Sequence, residues 1–320
     1  MLKDLTIGGD KVKFELMSED DQADPRQATT VAQRLSDAGV KGVVGHVTSG
    51  AAIPASRIYQ NAGIPVITPS ATNPKLTQQG YNVTFRVIAN DIQQGVAMGK
   101  FAAEQLKIKK VSIIDDRTAY GQGLADQFDK AAKKVGAEVV GREFTNDKAT
   151  DFMAILTRIK SENPDGIFYG GMDAQSGPML RQMQQFGINV KFLTGDGGCT
   201  DQMVKLAAGA LSENAYCTQA GIPLEKMPGG ADFRQRFKQR FGTDIVVYAP
   251  YSYDAATVLI EAMKAADSVE PAKYLPKLHA LNYQGVTGVI SFDEHGDVKD
   301  AGVTLFNFKD GKWEAIGTVH

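Results

Sequence analysis

The chain is predicted to be an α/β protein built as two doubly wound lobes. Three observations carry this. Short apolar segments alternate with helix-length segments from Val40 to Thr194. Glycine closes one helical segment after another, at Gly39, Gly63 and Gly136. After Gly285 the pattern changes to closely spaced strands. Strands alternating with helices imply parallel sheets covered by helices on both faces. Two successive runs imply two lobes, for which 320 residues suffice.

In order, Lys11–Met17 alternates polar and apolar residues, as a half-exposed strand does. Asp24-Pro25 reads as an N-cap with proline at the first helical position, for a helix reaching Ala38. Val40–Val44 reads as a buried strand, Ala51–Ala62 as a helix, and Val66-Ile67 and Thr84–Ile88 as strands. Asn90-Asp91 caps a helix to Leu106, and Val111–Ile114 is a strand. Then come helix Tyr120–Val135, strand Glu138–Phe144, helix Asp151–Ser161, strand Gly166–Tyr169, helix Ala174–Phe186 and strand Phe192–Thr194. Asp232–Phe241 and Tyr251–Ala266 read as helices. Val289–Phe292, Val303–Phe308 and Trp313–Val319 read as strands, the last two joined by the turn Lys309-Asp310-Gly311-Lys312.

Composition narrows the function. Hydrophobic residues are 43% and charged residues 22%, with a net charge of -2. Such a balance argues against a nucleic-acid or anionic-membrane surface, which needs a basic patch. No apolar run approaches the ~20 residues of a membrane span, and Met1–Leu5 carries no apolar core of a secretion signal. The two cysteines, Cys199 and Cys217, have no His or Cys neighbours at metal-ligand spacing. In an oxidising compartment they could pair, and in the cytosol they would be two buried thiols, so both states stay open. No metal or cofactor is expected.

Two segments carry the chemistry. Gly45-His46-Val47-Thr48-Ser49-Gly50 and Thr68-Pro69-Ser70-Ala71-Thr72-Asn73-Pro74 each place hydroxyls and small residues between a strand and a helix-like stretch. A strand end opening onto a helix N-terminus offers free N–H groups and a positive dipole end. With Ser49 and Thr72 adding hydroxyl donors, the pair makes a receptor for a small carboxylate. A catalytic role for His46 beside Ser49 would need both in fixed geometry with a carboxylate, and no such role is expected. The phosphate-loop, dinucleotide, nucleophile-elbow and metalloprotease signatures are missing from the sequence. The reading is therefore of an anion or zwitterion held, with no enzymatic activity.

The ordered set Ser18–Pro25, Gly45-His46, Thr68–Thr72, Tyr120-Gly121, Tyr169-Gly170-Gly171 and Gly195-Asp196-Gly197 resembles the leucine/isoleucine/valine-binding proteins. These are type I periplasmic solute-binding components of branched-chain amino-acid ABC transporters. The resemblance spans essentially the whole chain. It implies two Rossmann-like lobes of the type I periplasmic-binding-protein fold, joined by a hinge of three crossovers, with the amino acid in the cleft. The crossovers are expected near Asn90-Asp91, Thr218–Ala220 and Phe292–Glu294. Lobe 1 would then be 1–90 plus 220–292, and lobe 2 would be 91–219 plus 293–320. Family members begin with a strand and helix ahead of the segment that starts here at Leu5, so this unit is expected to be missing from the chain.

By the same resemblance, Ser49, Ser70, Ala71 and Thr72 would take the ligand carboxylate, with the Thr72 segment also reaching the ammonium. Asp196 would take the ammonium, Tyr120 would cover the ligand, and Met172 and Tyr248 would line the side-chain pocket. Each has a plainer reading: Ser49 as a helix cap, Thr72 as turn chemistry before Pro74, Asp196 as an Asx-turn, Tyr120 as a half-buried ring, Tyr248 as core. Met172 departs from the aromatic that several members carry, and its flexible thioether would reshape the pocket. The resemblance implies a monomer in the periplasm that delivers an aliphatic amino acid to a membrane permease. Two alternatives stay open: a binding protein for another amino acid, an amide or an aromatic acid, and a cytosolic ligand-sensing regulator on the same fold.

Overall fold

The structure, a computed structural model, describes residues 5–320. In chain order the first segment holds β1 (Leu5–Ile7), β2 (Asp10–Val12), α1 (Pro25–Asp37), β3 (Val43–Val44), α2 (Ser49–Ala62), β4 (Val66–Thr68) and β5 (Thr84–Arg86). The second holds α3 (Asp91–Glu104), β6 (Lys110–Asp115), α4 (Ala119–Lys134), β7 (Glu138–Phe144), α5 (Met153–Glu162), β8 (Gly166–Gly170), α6 (Asp173–Gln185), β9 (Lys191–Thr194), α7 (Asp201–Ala207) and β10 (Ala215–Gln219). The third holds α8 (Gly230–Phe241), α9 (Ala249–Ala265), α10 (Pro271–His279), β11 (Tyr283–Gln284) and β12 (Val289–Ile290). The last is β13 (Val303–Lys309) and β14 (Lys312–Val319).

These segments form two compact units, Met1–Ile88 with Leu224–Ala301, and Ala89–Pro223 with Gly302–His320. The chain therefore passes between the units three times. The last passage lies at Ala301-Gly302, later than the expected Phe292–Glu294, so residues 293–301 belong with the first unit. The reason is Arg86, which binds Asp297 through its side chain and exchanges backbone hydrogen bonds with Gly296 and Val298. The other two passages fall at Ile88-Ala89 and Pro223-Leu224, within a few residues of the expected places.

The first unit is built on the parallel sheet β3-β4-β5. Helix α1 starts where the sequence predicts, with the Asp24 carboxylate accepting from the N–H groups of Arg26 and Gln27 at 2.8 Å. It buries Ala28, Val31, Ala32 and Leu35, one stripe at helical spacing, against α2 and the sheet. Helix α9 packs on β3 and β4. The alternating run Lys11–Met17 is a strand only as far as Val12. Lys13–Met17 pairs with no strand among the described residues, and Leu16 is 93% exposed. Alternation places side chains, but a strand also needs a neighbour to complete its ladder.

The second unit is a seven-stranded sheet in the order β14-β13-β10-β9-β8-β6-β7. Its five strands from β10 to β7 are parallel, and β13 and β14 run antiparallel at one edge. Apolar clusters cover both faces. One joins α5, α6 and α7 through Leu156, Met179 and Met203, and the other joins α3 and α4 through Met98, Leu124 and Phe128. Phe128 stacks on Phe168 of β8 at 4.0 Å between centroids. Because β7 and β8 lie on opposite sides of β6, the strand order reverses there. The carboxyl ends of strands beside such a switch point are where doubly wound sheets bind ligands.

Cys199 and Cys217 are paired, with their Cα atoms 5.5 Å apart. The bond joins the loop after β9 to β10 and packs against Phe306 and Trp313. Closing a segment of 18 residues restricts the unfolded chain, worth about 3 kcal/mol on the loop-entropy account. The double variant Cys199→Ser/Cys217→Ser is expected to lose about that much unfolding free energy in urea, and added reductant should change the oxidised protein alone.

Candidate functional site

Two polar clusters stand at strand ends, one on each unit. In the first unit, the loops after β3 and β4 are tied together by three hydrogen bonds. The Thr68 hydroxyl donates to the His46 carbonyl at 2.8 Å, the Ser70 hydroxyl donates to the Val47 carbonyl at 2.8 Å, and the Asn73 N–H donates to Ser49 Oγ at 3.1 Å. Thr68 Oγ1 also accepts from the Ala71 N–H at 2.9 Å. Ser49, Ser70, Ala71 and Thr72 are thereby brought together, all buried. Ser49 is the first residue of α2, and the cap position falls to Thr48, whose side chain makes no capping bond. Ser49 Oγ accepts from Asn73, and a hydroxyl that accepts can donate as well. Thr72 Oγ1 is buried with no partner among the described residues. A buried hydroxyl without a partner costs about 1–3 kcal/mol, so this cluster holds donor capacity that the unit itself does not use.

Arg86, which is not among the residues expected from the sequence, supports this cluster. Its side chain is 0% exposed. It donates to the carbonyls of Ala71 and Asn73, each at 3.0 Å, to Thr77 Oγ1 at 2.9 Å, and to Asp297 Oδ1 from both Nε and Nη2 at 3.0 and 2.6 Å. The guanidinium therefore fixes the backbone of the Ser70–Asn73 loop from below. The signal was present in Thr84-Phe85-Arg86-Val87-Ile88, a cation in the middle of a buried strand, which must find several acceptors.

His46 is committed elsewhere. Its Nδ1 lies 2.6 Å from Asp21 Oδ2 and its Nε2 lies 3.0 Å from Tyr59 Oη. Burial, reinforced by the Asp21 charge, pushes the Tyr59 phenol well above its ordinary range. With both ring nitrogens engaged, His46 has none left to activate Ser49. Tyr248 lies in the first unit on a different element, at the cap position of α9.

In the second unit, Tyr120 follows β6, Met172 follows β8 and Asp196 follows β9, the strand ends nearest the switch point. The Tyr120 hydroxyl donates to Asp196 Oδ1 at 2.8 Å and accepts from the Gly197 N–H at 2.9 Å. The Gln94 amide donates to the same Asp196 oxygen at 2.9 Å. Asp196 is 5% exposed. A Cβ on Gly197 would come within 2.8 Å of both the Met172 sulfur and the Tyr120 ring, so these three residues meet. Asp196 opens the 3-10 turn Asp196–Gly198, whose cap position is Gly195.

The loop that carries Tyr120 depends on Asp116. Its Oδ1 accepts from the Thr118 N–H at 2.9 Å and the Thr118 hydroxyl at 2.6 Å, while Oδ2 is buried without a partner. Gly121 is required beside it, because a Cβ there would lie 2.1 Å from Asp116 Oδ1. Burial raises the Asp116 carboxyl above its ordinary value of 3.8. A raised folded value means that this group favours folding most below pH 3.8, an advantage lost as pH rises through the folded value. Asp116→Asn keeps the Oδ1 acceptor and removes the charge. It is expected to be more stable than the wild type at pH 7 and to show no such gain at pH 3, as read from urea midpoints.

Among the described residues no cluster of His, Cys, Asp and Glu could hold a metal ion. The sequence profile of a family described as periplasmic binding protein matches residues 2–312. The chain belongs to this family. It is 34% identical over 314 residues to Leu/Ile/Val-binding protein homolog 1 of Brucella suis, covering 97% of this chain and 83% of that protein. The leucine binding protein LivK of Thermotoga maritima has the same fold, with a TM-score of 0.91, 28% identity and coverage of 99% of this chain and 90% of that one. The branched-chain amino acid transporter substrate binding protein LivJ of Streptococcus pneumoniae, solved with isoleucine, has a TM-score of 0.87 and 28% identity over 98% of this chain and 89% of its own. The fold is thus the type I periplasmic-binding-protein fold, and the family is one of solute-binding proteins, a non-enzymatic class.

Proposed function

We propose that this periplasmic binding protein captures an aliphatic L-amino acid, with leucine, isoleucine and valine foremost, for uptake by an ABC transporter. The observation that carries the reading is the division of chemistry between the units. One presents buried hydroxyls at Ser49 and Thr72, and the other presents the Asp196 carboxylate with the Tyr120 ring beside it. Donors suit an α-carboxylate, and a buried carboxylate suits an α-ammonium. LivJ, 28% identical, was solved in complex with isoleucine, which supports the choice of an aliphatic amino acid. On this reading the amino acid docks first on the Ser49, Ser70, Ala71 and Thr72 loops. The second unit then closes by a hinge motion driven by contacts that only the closed state offers. A membrane permease reads the closed monomer in the periplasm, and the ligand leaves unchanged.

Met172 favours a second reading within the same class. A thioether packed against Gly197 adapts to more than one side chain, which admits another amino acid, an amide or an aromatic acid. Thermal unfolding against a panel of L-amino acids, their amides and benzoate separates the two. A ligand at a hundred times its dissociation constant stabilises by about 2.7 kcal/mol. A shift confined to leucine, isoleucine and valine supports the first reading. A shift with other members of the panel alone replaces it with the second, and no shift from a cooperatively folded protein removes both.

A further inference from the structure

Gln94 occupies α3 with its side chain completely buried. The Thr218 hydroxyl donates to Gln94 Oε1 at 2.8 Å. The amide nitrogen then points to two carboxylates, Asp196 Oδ1 at 2.9 Å and Asp91 Oδ1 at 3.2 Å. A flipped amide would set its carbonyl against both carboxylates and its nitrogen against the Thr218 hydroxyl, so the orientation is determined by its partners. The depth of Gln94 is set by close packing of α3 on α4, since a Cβ on the adjacent Gly95 would lie 2.6 Å from that of Gln127. Thr218 is held on β10 next to Cys217, whose disulfide partner Cys199 directly follows the Asp196–Gly198 turn. The relay and the covalent bond therefore join the same two segments.

We propose that Gln94, oriented by Thr218, is the positioning residue that aims the Asp196 carboxylate at the ligand ammonium. The proposal rests on the reading of Asp196 given above. Two neutral donors, Gln94 Nε2 and Tyr120 Oη, converge on one carboxylate oxygen and set the plane of the group. Tyr120, on α4, also accepts from the Gly197 N–H, so it holds the turn that carries Asp196 from one side. Gln94 holds it from the other side and, through Thr218, ties the carboxylate to α3 and β10.

The test compares L-leucine with 4-methylpentanoate, which has the same side chain and carboxylate and no ammonium, by titration calorimetry on the intact protein. Gln94→Leu is expected to weaken leucine about tenfold to a hundredfold, the worth of one hydrogen bond to a charged group, and to leave 4-methylpentanoate within about twofold. Thr218→Val, which releases the amide without touching Asp196, should shift the same preference in the same direction by less. It keeps the test open if Gln94→Leu does not fold. Equal weakening of both ligands, or no change in either, overturns the positioning role when Asp196→Asn still abolishes the preference for leucine. A preference that survives Asp196→Asn overturns the reading of Asp196 itself, and the proposal with it.

Discussion

Replacing Arg86 with methionine is expected to lower the unfolding free energy by about 3–5 kcal/mol, the cost of breaking a buried ion pair by removing one partner. Methionine fills much of the volume and supplies none of the donors. The carbonyls of Ala71 and Asn73 and the Thr77 hydroxyl lose a buried partner, and Asp297 loses both of its bonds from the guanidinium. Lysine should not restore the protein, because one ammonium cannot reproduce a fork that reaches two loops. The change is read as a lower urea midpoint with an unchanged slope. A loss below about 1 kcal/mol would show that the loops hold their geometry without the arginine. Ligand affinity should fall in parallel, since the backbone that Arg86 holds is the one proposed to receive the carboxylate.

Asp196→Ala carries the second large effect, on binding. Truncating one partner of a buried charge pair costs about 2–5 kcal/mol, so leucine affinity should fall about thirtyfold to several thousandfold. The Tyr120 hydroxyl and the Gln94 amide also lose their shared acceptor, which adds a smaller stability loss. Titration calorimetry of folded Asp196→Ala decides the matter. Affinity within threefold of the wild type would mean that the ammonium is held elsewhere.

Much of this was legible in the sequence because the signals were local. Asp24-Pro25 starts α1 and Asn90 caps α3 with a reciprocal bond to Gln93, as their chemistry dictates. The hydroxyl loops after β3 and β4 could be placed because short strands, glycines and prolines punctuate that stretch. What escaped depends on distant partners. Lys13–Met17 has the alternation of a strand and lacks a neighbour. The 293–301 segment joins the first unit through Arg86, more than two hundred residues away. Gln94 looks like an ordinary polar residue in an amphipathic helix, and its role emerges only once Thr218 and Asp196 surround it. The cysteines are 18 residues apart, a spacing that permits pairing and does not compel it. Only the meeting of β10 with the turn after β9 brings their Cα atoms within reach.

The central claim is that one amino acid is held by its carboxylate and its ammonium together. Titration of L-leucine and D-leucine into the purified protein tests it most directly, because inverting the α-carbon prevents carboxylate, ammonium and side chain from all reaching their partners at once. The account predicts one site per chain for L-leucine and at least a hundredfold weaker binding of the D-isomer. Equal binding of the two enantiomers, or no binding of L-leucine by a cooperatively folded chain, would contradict it.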